Sequence, residues 1–162
     1  MNKAVFLDRD GVLLNNEHHY YIWRSDQVQF VEGVLENLRI LQAQGFQLFI
    51  VSNQGGISRG IYTRKDILKL HEELMATFLK NQITVTDILF CPHHPEKEKC
   101  LCRKPESLMI DRLIARYDIC PQESAMIGDS ESDMTAAAKA GIKTIKIVSN
   151  TNMFASIANL IQ

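Results

Sequence analysis

Short apolar runs recur along the chain, and each gives way to small polar or charged residues. Val5-Phe6-Leu7 runs into Asp8-Arg9-Asp10-Gly11, and Gln47 to Val51 runs into Ser52-Asn53-Gln54-Gly55-Gly56. Thr86 to Phe90 leads to Cys91-Pro92-His93-His94-Pro95, and Ala125-Met126-Ile127 leads to Gly128-Asp129-Ser130-Glu131-Ser132-Asp133. A fifth run, Lys143 to Val148, alternates only in part. Runs this short predict strands, and continuous apolarity predicts burial on both faces. Between them the spacing becomes helical. Val34, Leu35, Leu38 and Leu41 predict a helix from about Gly33 to Ala43 that stops at Gly45. Ile67, Leu70, Leu74 and Phe78 predict a second helix capped by Thr63, and its apolar stripe reads as core. Ile110, Leu113, Ile114 and Tyr117 give a third, opened by Pro105 and Ser107. Met134 to Ala140 is a small-residue helix closed by Gly141, and a short helix follows Asn152. Strict alternation of strand and helix requires right-handed crossovers, hence an α/β fold: a doubly wound, Rossmann-like parallel sheet flanked by helices. Leu14 to Gln27 shows neither period and predicts a flap over the edge where the strands end. Its His18, His19, Tyr20, Tyr21 and Trp23 either face a substrate or anchor the flap.

Composition narrows the class. With 162 residues, 46% of them hydrophobic and 23% charged, the chain is expected to form one domain over residues 1–162. A net charge of -1 offers no footprint for long nucleic acid and no polybasic membrane patch. No apolar run approaches a membrane span and no secretory leader pattern is visible, so the expectation is a cytoplasmic protein. A monomer is expected as well. Cys91, Cys100 and Cys102 fall within twelve residues, which in a cytosolic chain argues for metal rather than disulfides. Cys120 stands apart and reads as a small buried hydrophobe.

In a parallel sheet all strand ends share one edge, so Asp8/Asp10, Ser52/Asn53, Arg103/Lys104 and Asp129/Asp133 are expected to converge. Asp8 and Asp10 would share a side if the strand persists that far, and such a pair repels unless a cation binds or one carboxyl is protonated. Alone, Asp-x-Asp-Gly also suits a strand-capping turn. An EF-hand loop fits poorly, because the twelfth position from Asp8 is His19 and an apolar strand precedes it. Ser52 with the glycine-rich turn is either a phosphate cradle or an ordinary turn.

Taken in order, the motifs resemble those of the haloacid dehalogenase (HAD)-like phosphohydrolases: Asp-x-Asp-Gly after the first strand, Ser/Thr after the second, Lys before a helix, and Gly-Asp-x-x-x-Asp after the fourth. The resemblance covers nearly the whole chain. It implies a phosphatase with Asp8 as nucleophile, Asp10 as general acid and base, and catalytic Lys104 and Ser52. Mg²⁺ would be held by Asp8, the Asp10 carbonyl and Asp129, with Asp133 supporting Lys104 or the metal waters. Glu131 reads as a solvated carboxylate. The fold it implies is capless here, since residues 14–27 are too few for a cap domain and 59–84 hold one core helix.

The pairs Cys91-x-His93 and Cys100-x-Cys102 suit a closed tetrahedral Zn²⁺ site. The strings CPHHP and CLCRKP resemble the zinc-loop branch of the same family, the heptose bisphosphate and histidinol-phosphate phosphatases. That branch implies structural zinc on Cys91, His93, Cys100 and Cys102 in a loop of about 91–105, with His94 as the alternative imidazole. Arg103 and Lys104 would then reach the substrate. SNQGGISRGIYT and the HHYY flap look more like the heptose type. They imply a small phosphorylated metabolite, D-glycero-D-manno-heptose 1,7-bisphosphate cleaved at position 7, contacted by Asn53, Gln54, Arg59, Arg103, Lys104, His18 and Tyr20. Six residues between His93 and Cys100 are nearer the histidinol type, and Ser130 replaces a lysine found in some heptose enzymes. A receiver-like phospho-accepting domain is the reading from another class. It needs its acceptor on the third strand, where this chain has Cys91-Pro92.

Overall fold

A computed structural model describes residues 1–161. In chain order the elements are β1 (Ala4–Leu7), α1 (Val34–Ala43), β2 (Gln47–Asn53), α2 (Arg64–Lys80), β3 (Val85–Cys91), α3 (Leu108–Tyr117), β4 (Ala125–Gly128), α4 (Glu131–Lys139), β5 (Lys143–Lys146) and α5 (Phe154–Ile157). The strands form one sheet in the order β3-β2-β1-β4-β5, every pairing parallel. The expected doubly wound α/β fold is therefore observed.

Strand alternation divides the core into two halves. Val5, Leu7, Leu48 and Ile50 face α1, α2 and α5 through Leu38, Leu41, Leu70, Leu74, Phe78 and Ile157. Ala4, Phe6, Phe49 and Val51 face α3 and α4 through Met109, Ile110, Leu113, Ala136 and Ala137. Phe6 and Phe49 stack across that second face with centroids 5.4 Å apart. Both faces of β1 are fully buried, which is why its sequence reads as an unbroken apolar run. At the sheet margin β5 is largely exposed, and its Lys143 and Lys146 discourage pairing with another edge.

Local chemistry sets the element ends. Thr63 and Asp66 form a reciprocal capping box at α2, as the sequence suggested for Thr63. A second box, Ser130 with Asp133, starts α4 at Glu131, a turn before the apolar pattern becomes visible at Met134. β1 ends at Leu7, so strand geometry does not extend to Asp8 and Asp10. Instead Gly11, at φ 86, turns the chain so that Val12, Leu13 and Leu14 enter the core. The flap then leaves as exposed chain at Glu17 to Tyr20, returns through buried Ile22, and closes with one 3-10 turn at Ser25–Gln27. β1 lies where the winding direction reverses, with β2 on one side and β4 on the other. Such a switch point opens a crevice at the carboxyl ends of the strands.

Candidate active site

A cleft of about 310 Å³ occupies that crevice. Asp8, Asp10, Ser52 and Asp129 from the ends of β1, β2 and β4, with Asp133 from the first turn of α4, line it together with Asn16, Tyr20, Tyr21, Asn53, His94, Arg103, Lys104, Ser130 and Ser132. The four polar clusters expected at successive strand ends thus meet in one place.

Lys104 is the cation at the centre. Only 2% exposed, its Nζ lies 2.9 Å from Asp8 Oδ1 and 2.6 Å from Asp133 Oδ1, and it donates to the Val51 carbonyl at 2.7 Å. Burial works against its charge, yet the Asp8 and Asp133 carboxylates outweigh that and hold it above the ordinary lysine value. Asn53 fixes the backbone beneath: its Nδ2 donates to the Lys104 carbonyl at 3.0 Å, and its Oδ1 accepts from the Lys104 amide at 3.0 Å.

For Asp8 the balance runs the other way. Desolvation lifts its carboxyl to about 7 in spite of Lys104, with Asp133 and Asp10 adding repulsion. Oxygens of Asp8, Asp129 and Asp133 lie within 4.8 Å of one another, and Lys104 pairs with two of the three carboxylates. That surplus of hard oxygen donors fits a divalent cation such as Mg²⁺. Two glycines make the crowding possible. A Cβ on Gly11 would run into the Asp129 carboxylate, and one on Gly128 into Asp133. Ser149 Oγ, donating to Asp129 Oδ2 at 2.6 Å, aims that carboxylate further.

Asp10 is held differently, by Arg9 at both carboxylate oxygens (2.8 and 3.0 Å) and by Gln54 Nε2 at 3.1 Å. Arg9 is wholly buried, and nothing in an Asp-Arg-Asp string announces that. The side chain of Asp10 is outside the Asp8, Asp129, Asp133 group, so from this residue only the main-chain carbonyl is available for the metal role considered from the sequence.

Of the other residues singled out as substrate contacts, Tyr20, Asn53 and Arg103 line the cleft. Gln54 is 1% exposed and lies behind the wall, bonded to Asp10, to Ser52 and to Tyr62. Arg59 is exposed and donates to the Tyr21 hydroxyl at 3.3 Å, so it reaches the flap rather than the cleft. His18 is exposed and absent from the lining. Tyr21, one of the flap aromatics read as either substrate-facing or anchoring, also lines the cleft, and so do Asn16, His94, Ser130 and Ser132, which had not been singled out as substrate contacts. For Tyr21 the aromatic cluster of the flap was the available signal.

Beside the cleft, Cys91, His93, Cys100 and Cys102 gather their donor atoms within 4.8 Å of one another. His93 Nδ1 is 3.3 Å from Cys91 Sγ and 3.2 Å from Cys102 Sγ, while Cys91 Sγ is 3.6 Å from Cys100 Sγ and 3.0 Å from Cys102 Sγ. Three thiolates and one imidazole gathered this closely are a donor set that suits a closed Zn²⁺ site. Burial pushes the Cys91 and Cys102 thiols up, so stable thiolates here call for a metal cation. His94 turns away to the cleft, where its ring packs on Gly55 beside Arg103. Arg103 Nη1 donates to the His93 carbonyl at 2.9 Å, which ties the guanidinium to the cluster.

Three comparisons bear on this arrangement. The HAD-hydrolase-like family model matches residues 101–158. The D-glycero-beta-D-manno-heptose-1,7-bisphosphate 7-phosphatase of Haemophilus influenzae is 39% identical over 148 residues, covering 88% of this chain and 79% of that protein. The D-glycero-alpha-D-manno-heptose-1,7-bisphosphate 7-phosphatase of Campylobacter jejuni is 38% identical over 146 residues, covering 90% and 82%. Among solved structures, the D,D-heptose 1,7-bisphosphate phosphatase of B. bronchiseptica, complexed with magnesium and phosphate, superposes with a TM-score of 0.83 at 27% identity, covering 97% of this chain and 86% of that one.

Proposed function

This chain belongs to the HAD-like phosphatases, in the group of the heptose-1,7-bisphosphate 7-phosphatases, and from that membership together with the cleft we propose a mechanism and a substrate. The observation that carries the proposal is the convergence of Asp8, Asp10, Asp129 and Lys104 in a single cleft. Asp8 attacks the phosphorus of a phosphate monoester, forming an aspartyl phosphate as the ester P–O bond breaks. Asp10 gives its proton to the departing alcohol oxygen, then takes one from the water that attacks the aspartyl phosphate. That second step releases phosphate and restores Asp8. Lys104 neutralises Asp8 and the incoming phosphoryl oxygens, and Ser52 with the amides of the following turn orients them. Asp133 holds Lys104 in place. Asp8, the Asp10 carbonyl and Asp129 would hold Mg²⁺, which when bound would supply the charge neutralisation that lets a carboxylate approach an anionic phosphate.

The substrate read from this cleft is a small sugar bisphosphate, D-glycero-D-manno-heptose 1,7-bisphosphate, with the 7-phosphate over Asp8. Capless, the edge is covered among the described residues only by the flap and by the loop after β3, so affinity has to come from fixed polar contacts such as Tyr20, Asn53 and Arg103. Arg59 joins them by bracing Tyr21. His18, exposed on the flap, reaches the substrate only if the flap folds over it. The kinetic expectation is a higher kcat/KM for the heptose bisphosphate than for its monophosphate or for histidinol phosphate. Steady-state assays of the three side by side check it, and preference for histidinol phosphate would overturn the substrate while leaving the mechanism intact.

In the same reading the Cys91, His93, Cys100, Cys102 cluster holds one structural zinc per chain and stiffens the loop that presents Arg103 and Lys104. Elemental analysis of the purified protein is expected to return one equivalent of zinc, and Cys102→Ser to lose it. No zinc in carefully reduced protein would remove this part of the proposal.

A further inference from the structure

Behind Asp10 lies a group of buried polar side chains that the reaction steps leave unused. Arg9 has no exposed surface, yet its donors are engaged: Nε and Nη2 on the two Asp10 oxygens, Nη2 also on the Ile22 carbonyl at 2.6 Å, and Nη1 against His71 Nε2 at 3.0 Å. A guanidinium keeps its charge, so His71 must offer an unprotonated Nε2. Burial, and next the Arg9 charge, push His71 down to about 3, which keeps it an acceptor. The second arm is neutral. Gln54 Nε2 donates to Asp10 Oδ2 and, at 2.7 Å, to Ser52 Oγ, while its Oε1 accepts from the Tyr62 hydroxyl at 2.6 Å. Tyr62 is in turn sandwiched: Trp23 stacks on its ring at 6.0 Å, Tyr21 meets it edge-on at 5.8 Å, and a Cβ on Gly56 would collide with it.

Resting on the proton-transfer role given to Asp10 above, we infer that Arg9 and Gln54 are positioning residues for Asp10, held in turn by His71 and Tyr62. A bidentate fork fixes the plane of the carboxylate, and the amide bond to Oδ2 fixes its tilt relative to Ser52. The donor is thereby aimed at the ester oxygen before substrate arrives. Because Ile22 belongs to the first arm and its neighbour Trp23 to the second, the root of the flap is part of the same block.

A network that only supports the fold would affect all substrates alike. One that aims a proton donor matters most when the leaving group needs a proton. The test compares single-turnover phosphorylation of the enzyme by the heptose bisphosphate, whose alkoxide leaves poorly, and by p-nitrophenyl phosphate, whose phenolate leaves unaided. Tyr62→Phe and His71→Leu are expected to slow the sugar reaction about 10- to 100-fold, with KM changed less than about twofold. The aryl reaction is expected to slow less than about threefold. His71→Gln, which keeps an acceptor near the lost nitrogen, is expected to recover most of the rate. Equal losses on both substrates, or no loss on either, would overturn the inference. Asp10→Asn is the control. If it fails to discriminate between the substrates, the role of Asp10 itself falls; if it discriminates while Tyr62→Phe and His71→Leu do not, the inference alone falls. Tyr62→Phe deletes a single hydroxyl and keeps the test usable if His71→Leu does not fold.

Discussion

Asp8→Asn is expected to abolish phosphatase turnover, with a loss of about 10⁴-fold or more, while the fold survives. The amide has the shape of the carboxylate but no negative oxygen with which to attack phosphorus. The same variant carries a second signature, in stability. Burial raises Asp8 to about 7 in the metal-free protein, above the free value of 3.8. For an acid whose folded value is the higher, the unfolded chain releases the proton first. Ionisation therefore erodes folding stability as pH rises through that window, and the effect is absent below it. Relative to Asp8→Asn, the metal-free wild type is expected to lose stability between about pH 4 and pH 7, at a rate of order 1 kcal/mol per pH unit. Urea unfolding at several pH values in chelator, alongside a phosphate-release assay, checks both halves. Retained turnover in the variant would sink the nucleophile assignment.

The second large effect is expected at Lys104. Lys104→Met keeps the apolar stem but removes the ammonium shared by Asp8 and Asp133, of which Asp133 is 1% exposed. Buried Asp133 and partly buried Asp8 then face each other without that cation, and breaking a buried pair from one side costs about 3 kcal/mol or more. Activity is expected to fall about 10²- to 10³-fold in kcat, because a fixed cation facing the phosphoryl oxygens is gone. Calorimetry and steady-state kinetics on one preparation separate the two losses. A variant with wild-type melting and wild-type kcat would show that Asp8 and Asp133 tolerate each other without the lysine.

Much of this site was legible because it is built on strand ends. Apolar runs that stop at Asp8, Ser52 and Asp129 locate the edge by periodicity alone, and parallel topology does the converging. The cysteine cluster was legible through donor spacing and crowding. What escaped was whatever depends on side-chain direction beyond a strand. Gln54 follows Ser52 and Asn53 in one polar string, yet it turns into the interior, where Tyr62 and Asp10 satisfy its amide. Arg9 looks like a surface charge between two acids. It is buried because Asp10, Ile22 and His71 take up its donors. His71 is buried on α2 beside Ile67, Leu70 and Leu74, and a polar residue at such a position carries no periodicity signal of its own. The flap has no period, so its exposed span and its anchored return were indistinguishable until Ile22 and Trp23 were seen packed beside Arg9 and Tyr62.

The paired hydrogen bonds between Asn53 and the main chain of Lys104 mimic one rung of a parallel ladder, with a side chain standing in for a strand. They peg the chain at the far end of the cysteine cluster, so the ammonium takes its place from β2 as well as from the loop before it. Residues 95–99, exposed between the Cys91/His93 and Cys100/Cys102 pairs, therefore bear on catalytic geometry less than the pegged end does. Their length is free to drift over evolution, or to be extended by design with a tag or reporter, at little more than the entropy of a longer loop.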